Sequence, residues 1–267
     1  MELKNNLTMF IHSCDKFSDL WDGHVKLLEE NWGDRNIPTY ILTDKENERN
    51  YENVKVIAAG EGKELSERTA EGLKHVETEY VFVTLDDYFL VEPVSNEEIG
   101  KLLDMMETEK IDYIRLFYRP KPSRKDKIKG KKKMYRCNIN NVYAVNLYAG
   151  IWRKSFLEST IREPRNAWQY EVSLSRCARE YGANCIMSNN KEFVILDVVR
   201  KGKILHKAHR YFKKHDVYHG DRPLMSAWAE FTLGVKTWFR RLMPQFIVRK
   251  IRAMMIKRGH HFYSQDE

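Results

Sequence analysis

Short apolar runs alternate with amphipathic stretches along the first half of the chain. The runs that predict β-strands cover residues 7–12, 39–43, 54–58 and 80–85. Between them, residues 17–32 and 66–76 carry apolar side chains at helical spacing, with Ser66 as the expected N-cap of the second helix. Strands that alternate with helices form a mainly parallel sheet covered by helices on both faces. The pattern therefore predicts an α/β fold.

The second half of the chain has a more mixed pattern. The strands expected there cover residues 112–118, 142–148 and 194–199. The helices expected there cover residues 97–106, 153–159 and 168–181, with Gly182 ending the last one. Because the sequence shows neither an internal repeat nor a linker, we expect one α/β domain over residues 1–221, followed by a helical tail over residues 222–267.

The net charge of +8 has a definite location. Residues 231–265 contain eight of the 46 Lys and Arg residues and no Asp or Glu, so the other 38 basic residues balance the 38 acidic ones. A tail that carries the whole net charge favours a polyanion, either a membrane surface or nucleic acid. Between residues 224 and 256 aromatic side chains interleave with the cations, which is typical of an amphipathic helix in an anionic membrane interface. Packing of these helices on the main domain is the alternative.

Cysteine spacing and hydropathy bear on the compartment. Cys14, Cys137, Cys177 and Cys185 form no C-x-x-C pair, which favours reduced thiols in a cytosolic protein. The N-terminal residues lack the apolar stretch of a signal peptide, and no run reaches the roughly 18 apolar residues of a membrane span. We therefore expect a cytoplasmic protein whose membrane contact is peripheral.

Residues 119–136 form a second basic stretch. They contain ten Lys or Arg residues and a single Asp. Such a stretch is either a solvated loop or a contact for an anionic acceptor or a membrane.

Polar residues follow two of the predicted strands directly. Cys14 and Asp15 come after the first strand, and Asp86 and Asp87 follow the apolar run YVFVTL without a break. Ligands of parallel α/β sheets bind at the carboxyl ends of the strands. Two adjacent carboxylates near a low-dielectric core are costly unless a cation or several donors compensate them. Mg²⁺ or Mn²⁺ would do so and would bridge to diphosphate oxygens, whereas a simple turn cap is the structural alternative.

The stretch at 80–90, YVFVTLDDYFL, resembles the aspartate motif of bacterial GT-A glycosyltransferases that build surface polysaccharide and lipooligosaccharide. Residues 12–32 and 38–44 are similar to the N-terminal half of that group, as is Ser-Glu-Arg at 66–68. The resemblance extends in order over residues 7–205. It implies a GT-A fold with a nucleotide-sugar half over about 1–118 and an acceptor half over 137–221.

The resemblance also implies roles at the donor site. Ser13, Cys14 and Asp15 would contact the nucleotide base and ribose, and Arg68 would lie near the nucleotide or its phosphates. Asp86 would approach the ribose or donor sugar. Asp87 would hold Mn²⁺ or Mg²⁺ against the diphosphate. The Asp-Asp pair departs from the spaced Asp-x-Asp pattern common among GT-A enzymes.

On the acceptor side, residues 149–152 and 168–171 resemble the corresponding region of the same group. There an acidic residue often removes the proton of the acceptor hydroxyl, and aromatic residues stack on sugar rings. Glu171 is accordingly expected as the general base of an inverting transfer, and Trp152 and Trp168 as acceptor contacts. An ordinary first-turn glutamate favoured by the helix dipole is the alternative for Glu171, and a retaining reaction would need no such base.

Basic residues and histidines crowd residues 200–215. A diphosphate leaving group needs positive charge as its bond to the sugar breaks, so Lys203 and His206 are expected to contact it, with His206 also a metal ligand. A solvated basic face is the alternative.

Together with these features, the resemblance implies transfer of a hexose to a lipid-linked saccharide at the cytoplasmic face of a membrane, and the resemblance alone implies a UDP-sugar as the donor. A nucleotidyltransferase is a rival, but its usual Gly-rich loop after the first strand is replaced here by HSCDKF. A basic nucleic-acid-binding protein is another, although no binding motif of that kind is present and we expect no nucleic-acid partner. A catalytically silent, GT-A-like interaction protein is the third alternative.

Overall fold

The structure, a computed structural model, describes residues 2–118 and 121–242 together with residues 250, 254 and 257. Its strands are, in chain order, β1 (Leu7–His12), β2 (Thr39–Thr43), β3 (Lys55–Ala58), β4 (Tyr80–Leu85), β5 (Tyr88–Leu90), β6 (Tyr113–Arg115), β7 (Met134–Arg136), β8 (Gly150–Arg153), β9 (Cys185–Ser188), β10 (Ile195–Asp197), β11 (Val199–Arg200) and β12 (Lys203–Ile204). Its α-helices are α1 (Leu3–Asn6), α2 (Trp21–Asn31), α3 (Leu65–Leu73), α4 (Asn96–Thr108), α5 (Lys154–Ser159), α6 (Ala167–Tyr181), α7 (His206–His215) and α8 (Ala227–Leu242).

Eight of these strands form one mixed sheet in the order β3-β2-β1-β4-β8-β6-β9-β7. The first four run parallel to one another, and β8 lies antiparallel between β4 and β6. β9 is parallel to β6, and β7 closes the far edge antiparallel to β9. The predicted α/β fold with a mixed, mainly parallel sheet is confirmed.

Alternation along the strands gives the sheet two apolar faces. Met9 and Ile11 of β1 pack in one cluster with Trp21 of α2 and Leu103 of α4. Phe10 lies in the cluster of the opposite face, with residues of α3, α5 and α6. Close packing of α3 requires Gly72, because a Cβ there would meet Leu42 Cδ1 at 2.6 Å. Both faces are therefore covered by helices.

Several element boundaries differ from the prediction. α3 begins at Leu65, with Glu64 as N-cap in a capping box with Glu67, so Ser66 is not the cap. The Ser66 hydroxyl instead donates to the Glu163 carbonyl at 3.0 Å and accepts from the Arg165 amide at 2.8 Å. The helix expected at 17–32 starts as a 3-10 turn over Asp15–Leu20 and becomes α-helical only at Trp21.

The strand expected at 142–148 is wrong, because this segment is irregular. Tyr143 has a φ of 66°, which is incompatible with an extended strand. The buried guanidinium of Arg115 donates to the carbonyls of Tyr143 at 3.2 Å and Ala144 at 3.0 Å. Contacts from β6 thus hold residues 143 and 144 in place. The strand in this part of the chain, β8, begins only at Gly150.

The chain divides into two compact units, residues 1–196 and 197–267. The sequence placed a boundary at 221 instead, and that domain scheme stays a prediction. In the second unit, β11 and β12 form a hairpin through Lys201 and Gly202, both with positive φ. On α8, Trp228 is 73% exposed and Phe231 is 61% exposed. The part of the predicted tail after Leu242 lies outside the described residues, apart from residues 250, 254 and 257.

Within the described ranges, we find no helix that combines the length and the apolar character needed to cross a bilayer.

Candidate active site

The carboxyl ends of the parallel strands β1, β2 and β4 meet at one edge of the sheet. The residues that follow them, together with one side chain of α3, form what we call the strand-end cluster. Its members are Ser13, Cys14, Asp15, Asp44, Arg68, Asp86 and Asp87. The polar residues after β1 and β4 that the sequence singled out therefore do lie at one sheet edge.

Ser13 and Asp86 lie in the most buried part of the cluster. The Ser13 hydroxyl donates to the Asp86 carboxylate and accepts from the Trp21 indole N–H at 2.6 Å. His24 of α2 donates its Nδ1–H to the Asp86 carbonyl at 3.1 Å, and burial lowers the pKa of His24 to about 4. Asp86 is 7% exposed. A buried carboxylate with such partners is fixed in position.

Asp87 differs from its neighbour in exposure. It is half-buried, in the two-residue turn that joins β4 to β5. The pair thus divides into a buried carboxylate with a hydroxyl partner and a more accessible one. A carboxylate oxygen at this position suits a hard divalent cation.

Asp15 and Asp44 join the ends of β1 and β2. The Asp15 amide donates to the Asp44 carboxylate at 2.7 Å, and the Asn47 side chain donates to the Asp15 carboxylate at 3.1 Å. Partial burial opposes ionisation of Asp44, but hydrogen bonds from the Asp15 amide and its own amide hold its pKa below the usual value. Residues 46–49 in the loop after β2 form a shallow, open depression of the surface. Asp44 is a member of the cluster that the sequence did not single out.

Arg68 comes to the same edge from α3. Its Nη1 donates to the Lys63 carbonyl at 3.0 Å. Burial, followed by the negative charge of Asp86, raises the pKa of the Cys14 thiol, while the positive charge of Arg68 opposes this shift. Arg68 Nε is buried without a hydrogen-bond partner among the described residues. A buried donor of this kind is expected to be satisfied by a bound ligand or water.

His12, the last residue of β1, also adjoins the cluster. It is 2% exposed, and neither ring nitrogen has a hydrogen-bond partner among the described residues. Burial and, secondarily, the positive charge of Arg68 lower its pKa to about 3, so the imidazole is neutral. His12 was not among the predicted site residues, because it is the last residue of an otherwise apolar strand. Its position one residue before the polar end of β1 was the available signal.

The second region of interest, the α6 flank, consists of residues 144–149 together with Trp168 and Glu171. β8 is antiparallel to β4 with Gly150 beside Val83, so the chain just before Gly150 lies at the carboxyl end of β4. The Tyr148 ring stacks on that of Tyr88, with centroids 5.5 Å apart. The part of the α6 flank just before Gly150 is thereby brought next to the turn that carries Asp86 and Asp87.

Glu171 faces this segment from α6. Its carboxylate accepts the Leu147 amide at 3.4 Å, and it is half-buried. Because α6 begins at Ala167 with Asn166 as N-cap, Glu171 lies beyond the first turn, and the helix-dipole explanation for its presence loses force. The role of Glu171 as a base stays a prediction.

The two tryptophans expected to contact an acceptor have opposite environments. Trp168 is 65% exposed and lies three residues before Glu171, on the same side of α6. Trp152 is completely buried, with its ring stacked on Phe156 at 5.4 Å and against Tyr113 at 4.4 Å. A side chain with no exposed surface cannot stack on a sugar, so the assignment of Trp152 is wrong.

Among the described residues, protein side chains alone do not form a metal cage. The part of the chain that the structure describes contains no group of three or more His, Cys, Asp or Glu side chains able to hold a metal. Asp87 belongs to the first unit, whereas Lys203 and His206 belong to the second. Lys203 is exposed, and the His206 amide donates to the Glu230 carboxylate at 2.9 Å. Their contacts with a diphosphate or metal stay predictions.

Comparison with solved structures identifies the fold. The chain is similar to S. aureus TarS 1-349 in complex with UDP-GlcNAc, with a TM-score of 0.52 and 13% identity over 74% of this chain and 60% of that one. It is also similar to a second TarS structure, with a TM-score of 0.50 and 11% identity over 70% of this chain and 36% of that one. The fold is GT-A. The chain thus spans about a third to three fifths of the TarS chains it matches.

A third similar structure is the mannosyltransferase PcManGT from Pyrobaculum calidifontis in complex with GDP-Man and Mn²⁺. It has a TM-score of 0.49 at 12% identity, over 82% of this chain and 66% of that one, and we draw nothing from a likeness at this level. No protein-family model matches the sequence, and no curated protein matches it at a significant level.

Proposed function

We propose that the protein is a glycosyltransferase that moves a sugar from a nucleotide diphosphate donor to a saccharide acceptor. The observation that carries this proposal is the convergence of the strand-end cluster and the α6 flank at one edge of a GT-A sheet. The TarS structure that contains UDP-GlcNAc has the same fold, which supports a nucleotide-sugar as the donor class. We further propose UDP as the nucleotide, a hexose as the sugar and a lipid-linked saccharide as the acceptor.

In this proposal the strand-end cluster binds the donor. Ser13, Cys14 and Asp15 contact the nucleoside, next to Asn47, whose side chain donates to the Asp15 carboxylate. Arg68 donates to the nucleotide through its unsatisfied Nε–H, which is chemically suited to a phosphate oxygen. Asp86, held by Ser13, contacts the ribose or donor sugar.

Asp87 is the residue proposed to hold Mn²⁺ or Mg²⁺. One carboxylate is enough, because Mg²⁺ is usually bound by one or two carboxylates together with substrate phosphates and water. A bound cation would neutralise charge on the diphosphate as it leaves.

The acceptor binds in this proposal at the α6 flank. Trp168 offers an exposed indole for a sugar ring, and Glu171 lies one turn further along α6. The Glu171 carboxylate removes the proton of the acceptor hydroxyl as that oxygen attacks the anomeric carbon, which inverts the configuration. The Glu171 carboxylate accepts the Leu147 amide at 3.4 Å, which ties it to the segment just before β8.

We also propose that the protein works in the cytoplasm at the inner face of a membrane, which would give access to a lipid-linked acceptor. The exposed aromatic rings of Trp228 and Phe231 on α8 and the basic tail support this location.

The proposal is tested by measuring release of the nucleoside diphosphate from a panel of nucleotide-sugars that includes UDP-sugars. Asp87→Asn keeps the shape of the side chain but removes its charge, so turnover should fall about 10²–10³-fold. Asp104→Asn makes the same change at an exposed position of α4 and should leave turnover unchanged. Turnover that survives in Asp87→Asn would refute the metal assignment. The absence of turnover with any nucleotide-sugar in the wild type would refute the proposed function.

A further inference from the structure

The second compact unit contains a cavity of its own, of about 510 Å³, which we call the C-terminal pocket. One wall is α7, which contributes His209, Phe212 and Lys213. The opposite side is formed by the chain segment that follows α7, including Tyr218 and Arg222. All of these residues lie within residues 197–267, so the pocket is complete within one unit.

Backbone hydrogen bonds give the pocket a fixed frame. The Ile204 amide donates to the Pro223 carbonyl at 3.0 Å, and the Met225 amide donates to the Ile204 carbonyl at 2.9 Å. The Arg222 amide donates to the Tyr218 hydroxyl at 3.3 Å. β12 is thus joined to the segment that carries Arg222 and Leu224. The pocket is a built feature of the unit.

The chemistry of the lining is that of an amphiphilic anion site. Lys213 and Arg222 carry positive charge, and His209 lies one helical turn before Lys213 on the same face of α7. Ile204 and Phe212 are buried apolar residues of the same lining. A cation at the end of α7 is also favoured by the helix dipole, which accounts for Lys213 in part.

Asp216 is the acidic residue among the described lining residues. It is exposed and lies 3.8 Å from the imidazole of His219, which does not line the pocket. The balance of charge in the lining therefore favours a bound anion.

The chain continues from this pocket into an exposed apolar strip. Leu224 lines the pocket and is 39% exposed, and α8 begins three residues later. On α8 the rings of Trp228 and Phe231 lie 5.9 Å apart, and both are mostly exposed. Large exposed aromatic rings beside basic residues are typical of a surface that contacts lipid.

We propose that the C-terminal pocket binds the phosphate headgroup of an anionic phospholipid at a bilayer surface. Lys213 and Arg222 contact the phosphate, while Phe212, Ile204 and Leu224 contact the apolar part of the lipid nearest to it. The volume of the pocket suits a headgroup and is far larger than an inorganic phosphate requires. This inference does not depend on sugar transfer, because membrane binding is measured without a donor.

The experiment is co-sedimentation of the full chain with vesicles of phosphatidylcholine alone and of phosphatidylcholine mixed with phosphatidylglycerol. Lys213→Glu reverses a charge in the pocket, and Lys214→Glu makes the same change at the next, exposed residue, which does not line it. Because each cation near an anionic leaflet contributes about fivefold in affinity, reversal at Lys213 should weaken binding about 25-fold. Reversal at Lys214 should weaken it by less than about fivefold.

Arg222→Gln, with Arg210→Gln on the exposed side of α7 as its matched control, gives a second pair. Equal losses within both pairs would show a diffuse basic surface and overturn the pocket. Binding that is indifferent to phosphatidylglycerol would also overturn it. Competition by inorganic phosphate that abolishes vesicle binding would reassign the pocket to a free anion, and tighter binding to an RNA oligonucleotide than to the vesicles would reassign it to nucleic acid.

Circular dichroism of each variant checks that the fold is retained. UDP binding by Lys213→Glu is expected to equal that of the wild type, because Lys213 belongs to no donor contact proposed above. Loss of vesicle binding with normal UDP binding would therefore show that lipid binding by the pocket is separate from donor binding at the strand-end cluster.

Discussion

The strand-end cluster and the α6 flank lie at the same edge of the sheet but differ in how they are built. In the cluster, Asp86 is buried and accepts from Ser13, which in turn accepts from Trp21. In the α6 flank, Glu171 is half-buried with a long hydrogen bond of 3.4 Å, and Trp168 is mostly exposed. The buried part of the cluster is held in place by internal hydrogen bonds, whereas the flank presents more accessible side chains.

The largest effect is expected from a substitution at Glu171, which should lower the rate of transfer without changing the affinity of the strand-end cluster for UDP. Glu171→Gln removes the proton acceptor, so the rate of transfer should fall about 10²–10⁴-fold while UDP affinity stays unchanged. Glu180→Gln, an exposed change on the same helix, is the matched control and should transfer normally. Transfer that persists in Glu171→Gln would remove the base assignment and favour a retaining reaction.

Substitutions of the two tryptophans should have smaller effects, which differ in kind. Trp152→Ala should affect stability, and Trp168→Ala should affect acceptor binding. Trp152→Ala empties a fully buried site and should lower the free energy of unfolding by about 3–5 kcal/mol, measured by denaturant titration. Trp168→Ala should leave the free energy of unfolding within about 0.5 kcal/mol of the wild type. It should raise the acceptor KM about 2–10-fold, the range expected for the loss of one aromatic stack. An unchanged KM would show that Trp168 does not contact the acceptor.

A further expected effect is a pH dependence of the free energy of unfolding that arises from two buried histidines beside the cluster, His12 and His24. His12 and His24 have folded pKa values of about 3 and about 4, both below their ordinary 6.5. As the pH falls, these two histidines therefore bind protons at a higher pH in the unfolded chain than in the folded one. The stability that depends on their neutral rings is fully present above about pH 6.5. It is lost as the pH falls toward about 4, by about 1.4 kcal/mol per pH unit for each histidine.

Replacing His12 with Asn should reduce this slope by about half over the same range, as measured by denaturant titration at several pH values. A slope identical to that of the wild type would mean that His12 is not held neutral in the folded protein.

The cluster was the more predictable of the two regions, for a physical reason. An apolar strand that ends in polar residues shows its carboxyl end in the sequence, and parallel pairing then brings Ser13 and Asp86 together. Arg68 was found only through the resemblance, and His12 was missed because an apolar run hides a single polar ring at its end.

The flank was less predictable because distant contacts shape it. Residues 142–148 alternate like a strand, yet the guanidinium of Arg115 and the positive φ of Tyr143 hold them in an irregular path. Trp152 was assigned to the acceptor because a local pattern does not show that Tyr113 and Phe156 enclose its ring. Similarly, the N-cap of α3 was misplaced because the Ser66 hydroxyl bonds to residues 163–165, far away in sequence.

The most direct test of the account is calorimetric binding of UDP with and without Mn²⁺, on the wild type, Asp87→Asn and the Asp104→Asn control. We expect the wild type and the control to bind UDP more tightly when Mn²⁺ is present, and Asp87→Asn to lose that enhancement. Failure of the wild type to bind UDP under either condition would contradict the donor site at the strand ends, and metal-enhanced binding by Asp87→Asn would contradict the role of Asp87.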